Sequence, residues 1–359
     1  MKKIILVLSI VLCSCTRPQN IIQFDDNSSI QPFLNSIATI ELVQLEADSS
    51  HLLGASPDLF LLDSDYLLVD RQNCRIYRYS SDGKFLNQIG NKGRSGNEYI
   101  DIEGVQTMED DVIVFSRPGK MLRFSKDGNF LSKRNFKNKG VQSYLVKNGI
   151  LTYYSYDSGH SCRLALLRDR DTLEFLKTKE KVMNFAGDGQ VFSGDEKNGI
   201  FVLDSYSPNI YEFKNGALNN YLTFDFGKYS IPGEFYNFKD AFQSSQYLFS
   251  RNFALIHKYI ENYKYKLVEI FLQKGNGPEF HYGLNKGDKW LWFYAGKAGE
   301  DPLSVSFRQF DAQGRLLCVI DPGVLDRLPQ GFKKLVSNKE IINKSNINSN
   351  YVIAKIIFK

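Results

Sequence analysis

A repeat of 45 residues constrains the fold of this chain more than any other feature of its sequence. Each copy holds an aromatic residue, an Asp-Gly pair and a second aromatic residue, so that Tyr79, Asp82-Gly83 and Phe85 return as Phe124, Asp127-Gly128 and Phe130. Glycine readily adopts the positive φ of a tight turn, and aspartate can hydrogen-bond its own backbone. Because apolar and polar residues alternate on both sides of each pair, the pattern predicts hairpins of short strands.

Further copies of this unit extend along most of the chain. A third copy spans Val141–Thr178, and a fourth spans Gln190–Gly227 with Asn215-Gly216 at its turn. The register then loosens, and the remaining apolar runs indicate strands of a fifth and a sixth unit: Asn252–Lys258 and Lys264–Leu272, then Trp290–Tyr294, Val305–Phe310 and Arg315–Ile320. Four-stranded antiparallel units at a period of about 40–50 residues are typical of β-propellers. We therefore predict an all-β fold, a six-bladed β-propeller.

Two strands outside the repeat offer a way to close the ring. Thr39–Leu45 and Tyr351–Phe358 both alternate apolar and polar residues, and neither has a partner nearby in the sequence. Pairing between them would complete the last blade and remove two exposed sheet edges. We expect the N-terminal strand to close the ring against the C-terminal strand.

The N-terminus predicts export and a lipid anchor. Met1–Ser14 has two lysines followed by an apolar stretch that is too short to span a membrane, as in a signal peptide. Leu12-Cys13-Ser14-Cys15 resembles the bacterial lipobox, with cleavage after Ser14 and acylation of Cys15; an ordinary signal peptide that happens to contain cysteine is the alternative. We expect a signal peptide over 1–14, a flexible tether over 15–35 and the propeller over 36–359. Thr16, directly after the acylated cysteine, favours the outer membrane of the cell envelope. No acidic cluster follows Cys15, so both the periplasmic side and the cell surface stay open as locations.

Charge and cysteine content exclude several classes of protein. The formal charge of +5 falls to +3 when the two lysines of the signal peptide are removed, and no basic run predicts a nucleic-acid partner. Cys74, Cys162 and Cys318 lack the spacing of a disulfide framework or a zinc site, so we expect three buried thiols; one disulfide with the third thiol left over is the alternative. We expect no cofactor.

The junction between the first two units carries a family resemblance. Ile89–Tyr99, IGNKGRSGNEY, is similar to the IGxxGxGPGEY junction of the six-bladed β-propeller lipoproteins of Bacteroidetes, which are related to NHL-type and TolB-like propellers. Phe224-Asp225-Phe226-Gly227 followed by Ile231-Pro232 also resembles that family. Ser95-Gly96-Asn97 departs from its Gly-Pro-Gly. The resemblance implies the propeller fold and the address in the envelope, and it implies no ligand.

No pattern in the sequence predicts catalysis or a metal site. The chain has no nucleophile elbow, zinc-protease motif, phosphate loop or dinucleotide fingerprint, and its four histidines share no ligand spacing. Asp63-Ser64-Asp65 and Asp169-Arg170-Asp171 lack the additional oxygen ligands that Ca²⁺ requires. We therefore predict a non-enzymatic binding module for a peptide, glycan or partner protein. The alternative is a propeller-type hydrolase or lyase with a metal at the central channel.

Blade topology predicts where a ligand would bind. Connections between second and third strands emerge on the same face as the blade-to-blade connections, and the Asp-Gly turns emerge on the opposite face. Propellers usually bind ligands on one face around the channel. We expect the ligand contacts on the first of these faces, which also carries the insertion Gly233–Ser245: Arg71, Arg94, Glu98, Tyr99, Arg117 and Tyr206.

Overall fold

A computed structural model describes residues 21–136, 140–154, 160–177, 190–238, 240–275, 277–287, 289–297, 303–345 and 348–359. In this part of the chain the strands form six sheets, each with a four-stranded antiparallel meander. The predicted six-bladed β-propeller is confirmed.

The strands are numbered in chain order. The N-terminal segment contributes β1 (Ile21–Gln23), helix α1 (Gln31–Ser36) and β2 (Ile37–Gln44). Blade 1 contains β3–β6: Asp58–Leu62, Asp65–Asp70, Arg75–Tyr79 and Phe85–Gln88. Blade 2 contains β7–β10: Gly104–Met108, Asp111–Ser116, Lys120–Ser125 and Phe130–Asn135. Blade 3 contains β11–β14: Gln142–Val146, Gly149–Tyr153, Cys162–Leu167 and Thr172–Lys177.

The second half of the ring has longer strands and most of the helices. Blade 4 contains β15–β18: Phe192–Asp195, Gly199–Leu203, Asn209–Lys214 and Ala217–Asp225. Two 3-10 helices, Gly227–Tyr229 and Gly233–Asn237, and helix α2 (Ala241–Phe249) precede blade 5, which contains β19–β22: Phe253–Glu261, Tyr265–Lys274, Gly277–Lys286 and Lys289–Lys297. Blade 6 contains β23 (Ser306–Phe310), β24 (Leu316–Ile320), β25 (Val352–Phe358) and β2. Between β24 and β25 lie a 3-10 helix, Pro322–Arg327, α3 (Gln330–Leu335) and α4 (Glu340–Lys344).

The innermost strands surround a central channel. β3 contacts β7, β7 contacts β11, β15 contacts β19, β19 contacts β23, and β23 contacts β3. Each blade therefore presents one sheet face to the blade before it and the other to the blade after it. In β4, Leu68 packs towards blade 6 while Leu67 and Val69 pack towards blade 2. Because both faces of the second strands are buried, β4 and its counterparts in blades 2, 3, 4 and 6 are apolar at nearly every position.

Glycine is required at the repeated turn for two reasons: the backbone conformation of the turn and the close packing of one blade on the next. Gly83 and Gly128 have φ of +91° and +84°. A Cβ on Gly83 would lie 2.2 Å from the carbonyl oxygen of Gln44, and one on Gly128 would lie 2.3 Å from that of Gln88. Each turn thus packs against the end of the outer strand of the preceding blade. A side chain there would have to displace that backbone.

Ring closure occurs as predicted. β2 pairs antiparallel with β25, with Ile40 opposite Ile356 and Leu42 opposite Ala354. The chain therefore begins and ends blade 6, and two strand edges that would otherwise be exposed are paired.

The predicted flexible tether is wrong for residues 21–35. β1 adds a parallel fifth strand to the outer edge of β18, and α1 packs on β22, so the segment crosses the rims of blades 4 and 5 before it reaches blade 6. Phe33 is fully buried. The apolar residues of segment 21–35, such as Ile22 and Phe33, are spaced too widely to show a period, because their partners belong to three different blades. Residues 15–20 of the predicted tether lie outside the described part.

The predicted strand assignments are also wrong in the last two blades. Trp290–Tyr294 lies in β22 and completes blade 5, where the sequence pattern placed it in blade 6. The turn 311–315 joins the first and second strands of blade 6, although its spacing resembles the turns between third and fourth strands. The 45-residue register fails here because blade 5 has strands of 9 or 10 residues and blade 6 takes its outer strand from the N-terminus.

Candidate functional site

The channel opens on two faces that differ in their loops. We call the face with the blade-to-blade connections the connection face, and the face with the Gly83 and Gly128 turns the hairpin face. Segments 71–74 and 117–119, the insertion with α2, and the excursion with α3 and α4 all follow strands that end on the connection face. This face therefore carries most of the irregular polypeptide.

Asp58 and its two arginine partners link blade 1 to blade 6 and to the connection that leads into blade 2, at the channel mouth on the connection face. Arg308 of blade 6 places Nη1 3.3 Å from Oδ1 of Asp58, which begins the innermost strand of blade 1. Nε of Arg71 donates to Oδ2 of Asp58 at 2.8 Å, and its Nη1 donates to the carbonyl oxygen of Ile102, in the connection to blade 2, at 2.5 Å. Burial would raise the pKa of Asp58, but Arg71 and Arg308 outweigh it and lower the pKa. The carboxylate is therefore ionised at neutral pH.

Blade 2 continues this charged region with Asp101, Glu103 and Arg117. Asp101 accepts hydrogen bonds from Oγ of Ser116 at 2.9 Å and from the backbone N–H of Arg117 at 2.8 Å, and it pairs with the Arg117 guanidinium. Glu103 Oε1 lies 3.6 Å from Nε of Arg117. Burial and the neighbouring Asp101 raise the pKa of Glu103 to about 7. The Arg117 side chain is 70% exposed, so a ligand can reach this pair. We call six residues the mouth cluster: Asp58, Arg71, Asp101, Glu103, Arg117 and Arg308.

A bulge in the innermost strand of blade 5 adds a histidine and a lysine beside the channel. The register shifts between Ile256 and Lys258, which leaves His257 as the extra residue next to the Lys258–Glu269 pair. His257 hydrogen-bonds Glu269 through Nδ1, and Lys258 donates to the carbonyl oxygen of Phe307 in blade 6 at 3.0 Å. Burial would raise the pKa of Glu269, but Lys258 and His257 outweigh it and lower the pKa to about 2. The His257 side chain is 41% exposed.

The predicted contacts Arg71 and Arg117 lie in the mouth cluster, and the other four do not. Arg94 is exposed in the connection between blades 1 and 2. Glu98 accepts a hydrogen bond from the backbone N–H of Ser95 at 2.9 Å and so shapes that connection. Tyr99 is fully buried and donates to the carbonyl oxygen of Ile89 at 2.9 Å, so it cannot contact a ligand at the surface and its prediction is wrong.

Tyr206 lies away from the mouth cluster, at the insertion before blade 5. Its ring packs on Phe235 with centroids 4.9 Å apart, and its carbonyl oxygen accepts a hydrogen bond from the Tyr236 hydroxyl at 2.7 Å. The insertion forms a short helix, as predicted, and covers this part of blade 4.

Sequence reasoning missed the charged residues that lie within strands. Asp58 and Arg308 of the mouth cluster lie in strands and were not predicted, nor were Lys258 and Glu269 beside it. Asp101 and Glu103, which lie just before β7, were missed as well. A signal was present, because Lys258 and Glu269 interrupt the apolar runs of β19 and β20. Buried charged groups need a partner, so such interruptions indicate paired residues even before the pairing is known.

The described residues hold no group of three His, Cys, Asp or Glu side chains that could bind one metal ion. Cys74, Cys162 and Cys318 are buried and free, which confirms the prediction of three buried thiols. In the described part of the chain, no helix combines the length and the apolar sequence needed to cross a bilayer. Cys15 lies outside this part.

Comparison with known proteins gives a family and a shared fold. A family profile described as a domain of unknown function, DUF4934, matches residues 20–353. A protein of Bacteroides fragilis described as exported has a similar structure, with a TM-score of 0.74 and 18% identity over 95% of this chain and 100% of that one. A DUF4221 family member from Bacteroides vulgatus has a TM-score of 0.53 and 12% identity over 90% of this chain and 98% of that one. No curated protein matches the sequence.

Proposed function

We propose that this chain, which belongs to the DUF4934 family, is a binding module of the cell envelope. Acylated Cys15 holds it to the membrane, and its connection face engages a peptide, glycan or partner protein. Its propeller supplies a rigid frame on which loops of several blades present side chains to one ligand.

The mouth cluster is the observation that carries this proposal. Side chains from blades 1, 2 and 6 lie there. The Arg308–Asp58 ion pair joins blade 6 to blade 1, and Arg71, which also pairs with Asp58, donates to the connection that leads into blade 2. Arg71 and Arg117 are 43% and 70% exposed in their side chains, so a ligand can compete for their donors. Burial and Asp101 raise the pKa of Glu103 to about 7, so the charge of this cluster changes near neutral pH.

The N-terminus supports the address. Met1–Ser14 has the composition of a signal peptide, Cys15 stands at the position that is acylated in lipoproteins, and a protein of similar fold is described as exported. Five residues separate Cys15 from Ile21 on the outer edge of blade 4. At about 3.5 Å per residue, the anchor lies within about 20 Å of that edge. The membrane is then nearest the rim of blade 4, and the mouth cluster, on blades 1, 2 and 6, lies away from it.

Cross-linking in cells tests the ligand-binding face. A photoreactive phenylalanine analogue replaces Arg94 on the connection face or, as the control, Lys84 on the hairpin face of blade 1. We expect an adduct from position 94 and none from position 84. Arg117→Glu reverses an exposed charge of the mouth cluster and should reduce the adduct about tenfold or more, whereas Lys84→Glu should not. Equal adduct yields from both faces, or a yield from position 94 that Arg117→Glu leaves unchanged, would contradict the proposal.

Fractionation tests the anchor separately. Cys15→Ser should release the protein into the soluble fraction and abolish labelling by a fatty-acid probe, while Cys74→Ser, in the same chain, should leave both unchanged. Membrane retention of Cys15→Ser would refute the anchor and leave the binding function standing.

An enzyme is the second candidate, and the His257–Glu269 pair favours it. A partly exposed imidazole oriented by a buried carboxylate is an arrangement used for general base catalysis or metal binding. Metal analysis of protein refolded and dialysed without chelator separates the two functions. One Zn²⁺ or Ca²⁺ per chain that disappears in His257→Ala would favour the enzyme class over the binding module.

A further inference from the structure

A second concave site lies on the connection face of blade 1, outside the mouth cluster. It has a volume of about 450 Å³, within the range of ligand-binding pockets. The end of β6 and the loop after it form one wall, and the loop between β4 and β5 forms another. Its lining residues are Ser50, Gln72, Asn73, Cys74, Arg75, Tyr77, Gln88 and Lys92.

The pocket holds two cations and no acidic side chain. Arg75 donates from Nη1 to the Tyr77 hydroxyl at 3.1 Å, and the described residues give neither Arg75 nor Lys92 an ion pair. The two neighbouring arginines behave differently. Arg71 is paired with Asp58, and Arg78 with Asp65. The positive charge of this pocket is therefore left for a ligand to neutralise.

The loop that carries Lys92 is held rigidly. Gly93 N donates to the carbonyl oxygen of Tyr99 at 3.0 Å, and Tyr99 N donates to that of Asn91 at 3.1 Å. A Cβ on Gly93 would lie 1.9 Å from Oε2 of Glu98, so glycine allows that carboxylate to pack beneath the loop. The buried ring of Tyr99 anchors both strands of this small bridge. Lys92 is thus presented from a preorganised backbone, which lowers the entropy lost on binding.

The remaining lining suits hydroxyl groups. Asn73 and Gln88 use their amide N–H groups within the protein, since Asn73 donates to Asp70 and Gln88 donates to Gly90 and Asn91. Their carbonyl oxygens, together with the Gln72 amide, remain as hydrogen-bonding groups of the lining. Tyr77 is buried and donates its hydroxyl proton to the carbonyl oxygen of Ser50. The lining therefore offers acceptors, cationic donors and no exposed aromatic ring.

We propose that this pocket binds an acidic saccharide, with the carboxylate of a uronic acid between Arg75 and Lys92 and the sugar hydroxyls on the amide side chains. The proposal rests on ligand binding by the connection face, but it uses none of the mouth-cluster residues. Either can therefore fail alone. Without an aromatic platform, recognition comes from charge-assisted and neutral hydrogen bonds, so a single sugar should bind weakly and in a salt-dependent way.

Saturation-transfer NMR on the soluble Cys15→Ser chain tests the pocket with four probes: glucuronate, glucose, sodium sulfate as competitor, and hexaglutamate. Arg75→Ala and Lys92→Ala remove the two cations, and Lys84→Ala is the matched control on the hairpin face of the same blade, where the lysine side chain is 76% exposed. Thermal melting of each variant establishes that it is folded.

We expect saturable glucuronate binding, at least tenfold stronger than glucose binding and weaker at 0.5 M than at 0.05 M NaCl. Arg75→Ala and Lys92→Ala should each weaken it about tenfold or more, and Lys84→Ala should leave it unchanged. Equal binding of glucose, no saturable binding of glucuronate, or unchanged affinity in both variants would overturn the proposal. Hexaglutamate binding without glucuronate binding, or displacement of glucuronate by an equal concentration of sulfate, would overturn its saccharide part and identify a general anion site.

Discussion

Phe33→Ala is the sharpest test of the N-terminal segment, because this residue lies where the sequence predicts a flexible tether. The Phe33 ring is fully buried and stacks on Phe293 of blade 5, with centroids 4.2 Å apart and an angle of 13° between the planes. It also makes edge contacts with Phe307 and Phe358 of blade 6 at 5.6 and 6.3 Å. Phe33 therefore fills the space between two blades.

Truncation of a buried phenylalanine costs about 3–5 kcal/mol, from lost transfer free energy and the cavity left behind. We expect Phe33→Ala to lower the free energy of unfolding by this amount and the melting temperature by about 5 °C for a domain of this length. Urea denaturation of the soluble Cys15→Ser chain, followed by tryptophan fluorescence, measures the free energy of unfolding, and thermal melting followed by circular dichroism measures the melting temperature. Phe242→Ala is the matched control, because its side chain on α2 is 65% exposed, and it should change stability by less than about 0.5 kcal/mol.

A double-mutant cycle separates stacking from general loss of burial. Phe33→Ala and Phe293→Ala should show a coupling free energy of about 0.5–1.5 kcal/mol, the range for paired aromatic rings. If Phe33→Ala cost no more than Phe242→Ala, residues 31–36 would not be docked on the ring, and the tether predicted from the sequence would be right after all.

Three further predictions concern stability. Burial lowers the pKa of His281, so the unfolded chain takes up a proton more readily than the folded one. The free energy of unfolding should therefore decrease as the pH falls through about 6.5. In chemical denaturation at several pH values, His281→Gln should abolish this decrease. Asp204→Asn should lower the free energy of unfolding by about 3–5 kcal/mol, because Arg163 then loses the carboxylate to which it donates two hydrogen bonds of 2.6 Å. Asp169, the partner of Arg134, is 87% exposed, so Asp169→Asn should lower the free energy of unfolding by less than about 1 kcal/mol. Equal losses of stability in denaturation would refute the distinction. Gly83→Ala should lower the melting temperature more than Gly216→Ala, since both glycines have positive φ but only Gly83 faces a backbone oxygen at 2.2 Å, whereas Gly216 has open space.

The outcome at the candidate site shows where sequence reasoning reached its limit. The order of strands in a blade predicts which loops share a face, so Arg71 and Arg117 could be placed on the connection face in advance. Whether a residue of such a loop points outwards or into the core depends on the neighbouring blade. Tyr99 and Arg94 belong to the same connection, yet the ring of Tyr99 is fully buried and Arg94 is exposed. The finer resemblance to NHL-type and TolB-like propellers stays a prediction.

The sequence by itself determined the blade, its repetition and the closure of the ring. These depend on short-range physics: alternation at period two, glycine at positive φ, and two lone strands whose unpaired edges would be costly. Only the tertiary structure decided which residues of different blades meet. Arg308 and Asp58 lie 250 positions apart in the sequence. Ile22 and Phe224 pair although most of the first four blades lies between them along the chain. Such contacts leave no period in the sequence, because each partner is chosen by the packing of one blade on the next.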